Sequence, residues 1–136
     1  LALSSKHTDV QEATIALLPR YPKKDALPLL KSMLGHERYN IREAVATCLG
    51  KMDTSDKDVL ALLELTLQDK LKMVRYAAVK ALSKARGDEV RDLLLRRLGT
   101  ETSPTVRGEI LWTLRRGWPK DKAVVEALKE VQQRRR

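Results

Sequence analysis

The sequence predicts an all-α fold of about four stacked helical hairpins, and three observations lead there. The first is composition: among 136 residues Phe is absent, aromatics make up 4%, and Gly and Pro number only six and five, a balance that favours helices over β-sandwiches. The second is recurrence. Four segments open on a β-branched residue, Val10-Gln-Glu-Ala, Ile41-Arg-Glu-Ala, Val74-Arg-Tyr-Ala and Val106-Arg-Gly-Glu, at spacings of 31, 33 and 32 residues. The third is that each opening is followed by a break and then by another apolar run of helical period.

The first helices of the hairpins follow from apolar or small residues three, four, seven and eight positions after each opening. These are Ala13, Thr14, Leu17 and Leu18; Ala44, Val45, Cys48 and Leu49; Ala77, Ala78, Ala81 and Leu82; and Glu109, Ile110, Thr113 and Leu114. Such spacing makes one face of a helix, and the small residues at the third step of the first three sets and at the seventh of the second and third admit a close neighbour. The breaks are Pro19–Pro22, Gly50–Thr54, Arg86–Gly87 and Gly117–Pro119. The second helices bury Ala26, Leu29, Leu30 and Leu34; Val59, Leu62, Leu63 and Leu67; Val90, Leu93, Leu94 and Leu98; and Val124, Leu128 and Val131. An Asp before each run (Asp25, Asp58, Asp88, Asp121) is expected to cap it. Leu1 to Leu3 stand seven residues ahead of the first opening, as Leu34 and Leu67 do for the next two, and read as the end of an earlier helix.

The chain thus reads as one domain over residues 1–136, with repeats at about 8–37, 38–70, 71–102 and 103–132, a truncated unit at 1–7 and a basic tail at 133–136. It reads as an excised soluble piece of an intracellular protein, cytoplasmic or nuclear: no run approaches the ~20 apolar residues of a membrane span, and one Cys cannot form an internal disulfide. Charge is lopsided. Residues 1–68 hold 9 Lys/Arg and 9 Asp/Glu, whereas residues 69–136 hold 18 and 9, so the whole excess of +9 lies in the second half. An acidic partner is implied.

The phrases Ile41-Arg42-Glu-Ala-Val-Ala-Thr-Cys-Leu-Gly and Val74-Arg75-Tyr-Ala-Ala-Val-Lys-Ala-Leu resemble those of HEAT repeats, in particular the HEAT-like class of phycobilisome lyases. Gln11 stands where that pattern has Arg, and Glu109 and Thr113 replace small apolar residues in the last copy. The resemblance implies a right-handed α-solenoid with first helices outside and second helices lining a concave surface. The acidic residue usual in the turn before the phrase appears as Asp69, with His36 and Thr100 near the matching positions, so a continuous Asp–Arg ladder is not expected. The HEAT-like fold is shared by alkylpurine DNA glycosylases, for which Trp112, Trp118 and Asp121 are the residues to weigh, and by phycobilin lyases, although no chromophore-handling motif is recognisable.

No catalytic, cofactor or metal site is expected. His7, His36 and Cys48 are too dispersed for metal-ligand spacing, Cys48 falls on a buried face, and no Gly-rich phosphate loop, GxSxG or HExxH occurs. Glu43, Glu109 and Glu126 have nothing that would desolvate them or act as nucleophile. The expected function is a non-enzymatic protein-interaction scaffold. Two and three residues before the last core positions of neighbouring second helices, Leu65 and Leu95 would stand side by side if the helices stack in register and form a small apolar spot, with Arg91, Arg96, Arg97, Arg115, Arg116 and Trp118 completing the partner surface. A column of cations ten residues after each opening, Arg20, Lys51, Lys84 and Arg116, reads either as a binding stripe or as neutralisation of helix C-termini near the Asp caps. Nucleic-acid binding by the basic half, possibly glycosylase-like, is one alternative, and a lyase-type enzyme subunit another.

Overall fold

The computed structural model describes residues 7–134, and all regular structure among them is helical. The helices are α1 (Thr8–Leu17), α2 (Lys23–Met33), α3 (Tyr39–Gly50), α4 (Lys57–Thr66), α5 (Lys72–Leu82), α6 (Asp88–Thr100), α7 (Pro104–Gly117) and α8 (Lys122–Arg134). A 3-10 turn, Leu18–Arg20, extends α1. Each odd-numbered helix begins two residues ahead of its β-branched marker, so the recurrence read from the sequence positions all four hairpins of this α-solenoid. The reading of Leu1 to Leu3, and the last two arginines of the tail, lie outside the described residues.

All four expected breaks separate helices. Pro22 sits immediately before α2, where a missing N–H costs nothing. Gly87 precedes α6 at φ +142°, a conformation that a side chain would strain. Ser103 caps α7, its hydroxyl accepting the Val106 N–H, and Pro104 opens that helix. The Asp caps need correction. Only Asp121 accepts an orphan N–H, that of Val124 at 3.2 Å; α4 is capped instead by Asp56, which accepts from Asp58 and Val59. Asp25, Asp58 and Asp88 lie inside the first turn of their helices, where a carboxylate still meets the positive dipole end.

The odd-numbered helices stack directly on one another, and each even helix also packs against the odd helix that follows it. The core is one column of side chains: Leu18, Leu30, Leu49, Leu63, Leu82, Leu94 and Leu114 are all fully buried. A fifth-step position that the sequence pattern did not single out, Ile15, Ala46 and Val79, is fully buried as well. In α1 the expected face is only partly right. Val10 is 38% and Leu17 47% exposed, and Ala13 is exposed, because no described helix lies over that side. Leu29, Leu34, Leu128 and Val131 are half-buried rather than fully covered. The tightest approach joins α3 to α5: a Cβ built on Gly50 would stand 2.8 Å from both Cα and Cβ of Ala81.

Consecutive hairpins are tied together by arginine forks. Arg42 donates from Nε and Nη2 to Asp69 at 2.7 and 3.3 Å, and from Nη1 to the His36 and Glu37 carbonyls. Arg75 repeats this one unit on, with Nε and Nη2 on Glu101 at 2.8 and 3.0 Å and Nη1 on the Asp69 carbonyl. One part of the expectation is corrected: Glu101, not Thr100, is the equivalent of Asp69, each lying five residues before its β-branched marker, so forks form at two junctions, while Gln11 and His36 at the first keep the ladder from running through the whole array. Glu101 has a fully buried side chain and also accepts the N–H groups of Thr102 and Ser103 and a bond from Arg97. Burial alone would raise its carboxyl, yet Arg75, the Ser103 N–H and Arg97 together hold it below the usual carboxylate range.

Two outcomes follow. Gly50→Ala should destabilise by about 1–3 kcal/mol through overpacking against Ala81, despite the better helix propensity of Ala, as a lower denaturant midpoint will register. Glu101→Gln should cost about 3–5 kcal/mol at neutral pH by leaving the buried Arg75 without its anion. Since folding lowers the Glu101 pKa, its contribution is present above the unfolded value of about 4.3 and fades as pH falls through the folded one, so the mutant and parent curves should converge in acid.

Candidate partner-binding surface

Of the side chains expected on the partner surface, the structure commits several to the chain itself. Arg91 reaches Asp121 at 2.8 Å, Asp92 at 3.0 Å and Asp88 at 3.3 Å, clamping α6 to the start of α8. Arg97 is bonded to Glu101 and to the Gln68 side chain. Both positions are consumed by internal carboxylates that the sequence does not place in space. Arg96 is mostly exposed, and its only ion pair, with Glu64 on α4, spans 3.5 Å.

The apolar spot divides. Leu65 is 55% exposed, whereas Leu95 is half-buried against the core. Between α4 and α6 runs a shallow groove of about 240 Å³ with Leu60 and Leu93 at its base and Lys57, Glu64, Glu89 and Arg96 around it. Two cations and two anions cancel, so this side does not favour a partner by charge.

The other side of the solenoid differs. Arg20, Lys51, Lys84 and Arg116 are all exposed, one per hairpin at the end of each odd helix, and none meets a carboxylate among the described residues. Of the acids expected beside them, Asp58 pairs with Lys23 at 3.0 Å and Asp88 and Asp121 pair with Arg91 at 3.3 and 2.8 Å, while Asp25 meets no cation among the described residues. Packed helices lie about 8–10 Å apart, so positive charge recurs at roughly that interval along the stack. Between α3 and α5 the column borders a groove of about 390 Å³ lined by Glu43, Lys51, Tyr76, Lys80 and Lys84, with Lys80 also 3.8 Å from Glu109, so three cations face one acid there. At its far end the Arg116 guanidinium lies 4.3 Å from the ring centre of Trp112, which is 52% exposed, and Arg115 stands exposed beside it. Trp118 is half-buried, with Arg86 above its ring at 5.8 Å.

Trp112, Trp118 and Asp121 do not assemble a cleft of the glycosylase kind. Asp121 spends one oxygen on the Val124 N–H and the other on Arg91, and the former contact leads in holding its carboxyl below the usual range. Among the described residues no group of three His, Cys, Asp or Glu side chains is placed to hold a metal, and no helix is long and apolar enough to cross a membrane.

Cys48 lies in the core, 2% exposed, and burial pushes its thiol up to about 11. Its reaction with a disulfide reagent at pH 7 should therefore be far slower in the folded chain than in denaturant, where the thiol returns to about 8.5. Equal rates would place Cys48 at the surface.

The hairpins, their markers and the arginine forks agree with a comparison against protein families, in which a model described as HEAT repeats matches residues 1–70 and again 54–115. No curated protein matches the chain. With the matches spanning most of its length, this chain belongs to the HEAT repeat family.

Proposed function

We propose that the chain is a segment of an interaction scaffold that receives an acidic protein along the column of exposed cations on its odd-numbered helices. HEAT repeats are commonly protein-interaction scaffolds, and stacked hairpins offer a preformed surface, so little ordering entropy is spent on this side when a partner docks. The observation that carries the reading is that Arg20, Lys51, Lys84 and Arg116 recur once per hairpin without a single internal carboxylate. Arg115 and the Trp112–Arg116 stack supply an anchor at the basic end, where a planar guanidinium suits a carboxylate. Leu65, beside Arg96, is an apolar contact available to a partner that wraps to the even-numbered side.

The same column supports a second reading, contact with the phosphates of a duplex, since evenly repeated cations meet phosphates as readily as carboxylates. One exposed Trp offers little stacking for single strands.

The test is a triple reversal, Lys51→Glu/Lys84→Glu/Arg116→Glu, with parent and variant each used to capture proteins from a cell extract for mass spectrometry. Proteins held by the parent should be acidic, should elute with salt and should be lost from the variant by at least tenfold, about 1.4 kcal/mol, with helicity unchanged. Equal capture by both would remove the column from the interface. Anisotropy titrations with duplex DNA at several salt concentrations separate the two readings: steeply salt-dependent binding that the reversal abolishes moves the assignment to nucleic acid.

A further inference from the structure

The cations at the odd-helix ends are accompanied by aromatic rings. Tyr21, 44% exposed, follows Arg20; Tyr76 lines the groove that Lys51 and Lys84 border; and Trp112, 52% exposed, carries the Arg116 guanidinium on its ring. Tyr21 and Trp112 stand outside the buried core, so the fold leaves their apolar surface uncovered. The acids of this face keep off the row. Glu43 lies eight residues before Lys51 and Glu109 seven before Arg116, each about two helical turns away from the cation of its own helix.

The spacing of the row selects the backbone that can follow it. Gly50, nine residues after Ile41, meets Ala81, seven after Val74, so α5 is offset from α3 by two residues, about 3 Å along the axis. With helices about 8–10 Å apart, equivalent residues on successive odd helices stand about 8.5–10.5 Å from one another. A polyproline II segment has about three residues per turn and rises about 3.1 Å per residue, so every third side chain returns to one face about 9 Å further on. Other backbones miss this interval. In a strand, side chains of one face recur at about 6.6 or 13 Å. In an α-helix seven residues span about 10.5 Å and drift by about 20° per heptad, which turns the fourth acid roughly 60° away from the fourth cation. A helical partner also needs an apolar stripe, and the positions one turn before the cations, Ala16, Thr47, Lys80 and Trp112, do not make one.

Resting on the acidic-partner reading above, we propose that the occupant of the column is an extended, proline-containing segment with a carboxylate at every third residue, lying across the odd helices in the polyproline II conformation. Its carboxylates meet Arg20, Lys51, Lys84 and Arg116, and the prolines between them lie against Tyr21, Tyr76 and Trp112. Aromatic-lined surfaces hold such segments because the backbone is already extended and keeps its hydration, so little ordering entropy is lost on docking.

The test is fluorescence anisotropy of the full chain with labelled peptides that each carry four Glu, spaced two, three or four residues apart with Pro between them, or seven apart in an Ala-rich helix. The three-residue spacing should bind about tenfold more tightly than any other. Lys84→Gln should weaken that binding about threefold, and Trp112→Ala about tenfold with Trp112→Tyr recovering most of the loss, while circular dichroism stays that of the parent. Equal affinity at every spacing, abolished by the Lys51→Glu/Lys84→Glu/Arg116→Glu reversal, overturns the inference and leaves the acidic partner standing. Tightest binding at another spacing, or no binding by any peptide, overturns it as well, the seven-residue case assigning the column to a helix. Affinity that the triple reversal leaves intact overturns both the inference and the reading beneath it.

Discussion

A buried guanidinium is costly to strand, and the whole stack is arranged around that cost. Arg42 and Arg75 lie almost out of reach of solvent, each closed on one side by a carbonyl of the loop before its helix and on the other by the carboxylate of the loop that leads to the next odd helix. Planar forks of this kind tolerate little misalignment, so they fix the register between units more sharply than leucine packing can. The leucines supply most of the driving force, and the forks decide which of many possible stackings is adopted. Everything outside, including the line of exposed cations, inherits its spacing from those two bonds.

Much of this was readable from residue order. The markers Val10, Ile41, Val74 and Val106 locate every odd helix, and the Pro and Gly breaks locate every turn, because a helical period and its punctuation are local properties of the chain. Glu101 was also within reach: the same five-residue step that leads from Val74 back to Asp69 leads from Val106 back to Glu101. What could not be read was where long side chains go. Arg91, Arg97 and Asp121 have the composition of a solvent-facing charged surface, yet they clamp α6 to its neighbours, because partners some 30 residues away in sequence meet only after stacking. Leu95, by contrast, was legible: it stands five residues after Val90 where Leu65 stands six after Val59, and that one-residue step of about 100° turns it toward the core.

The surface candidate changed character for that reason. Side chains chosen for charge alone divided into those with an internal acid nearby and those without, and the division followed geometry rather than residue type. Arg96 and Arg97 are adjacent, yet one faces water with a distant Glu64 and the other rests on buried Glu101. Conversely, the cations at the odd-helix ends, equally well read as dipole partners, are among those left without carboxylates in the described residues, as Lys24, Lys31 and Arg115 also are.

The two layers are held by different forces, and this makes the array mechanically lopsided. On the odd side the backbones of α3 and α5 approach through Gly50 and Ala81 so closely that no side chain fits between them. On the even side the bridges from Lys23 to Asp56 and Asp58, and from Arg96 to Glu64, are solvated and weakened by dissolved ions. Dissolved salt therefore acts on the contacts of the even flank and leaves the close α3–α5 approach untouched.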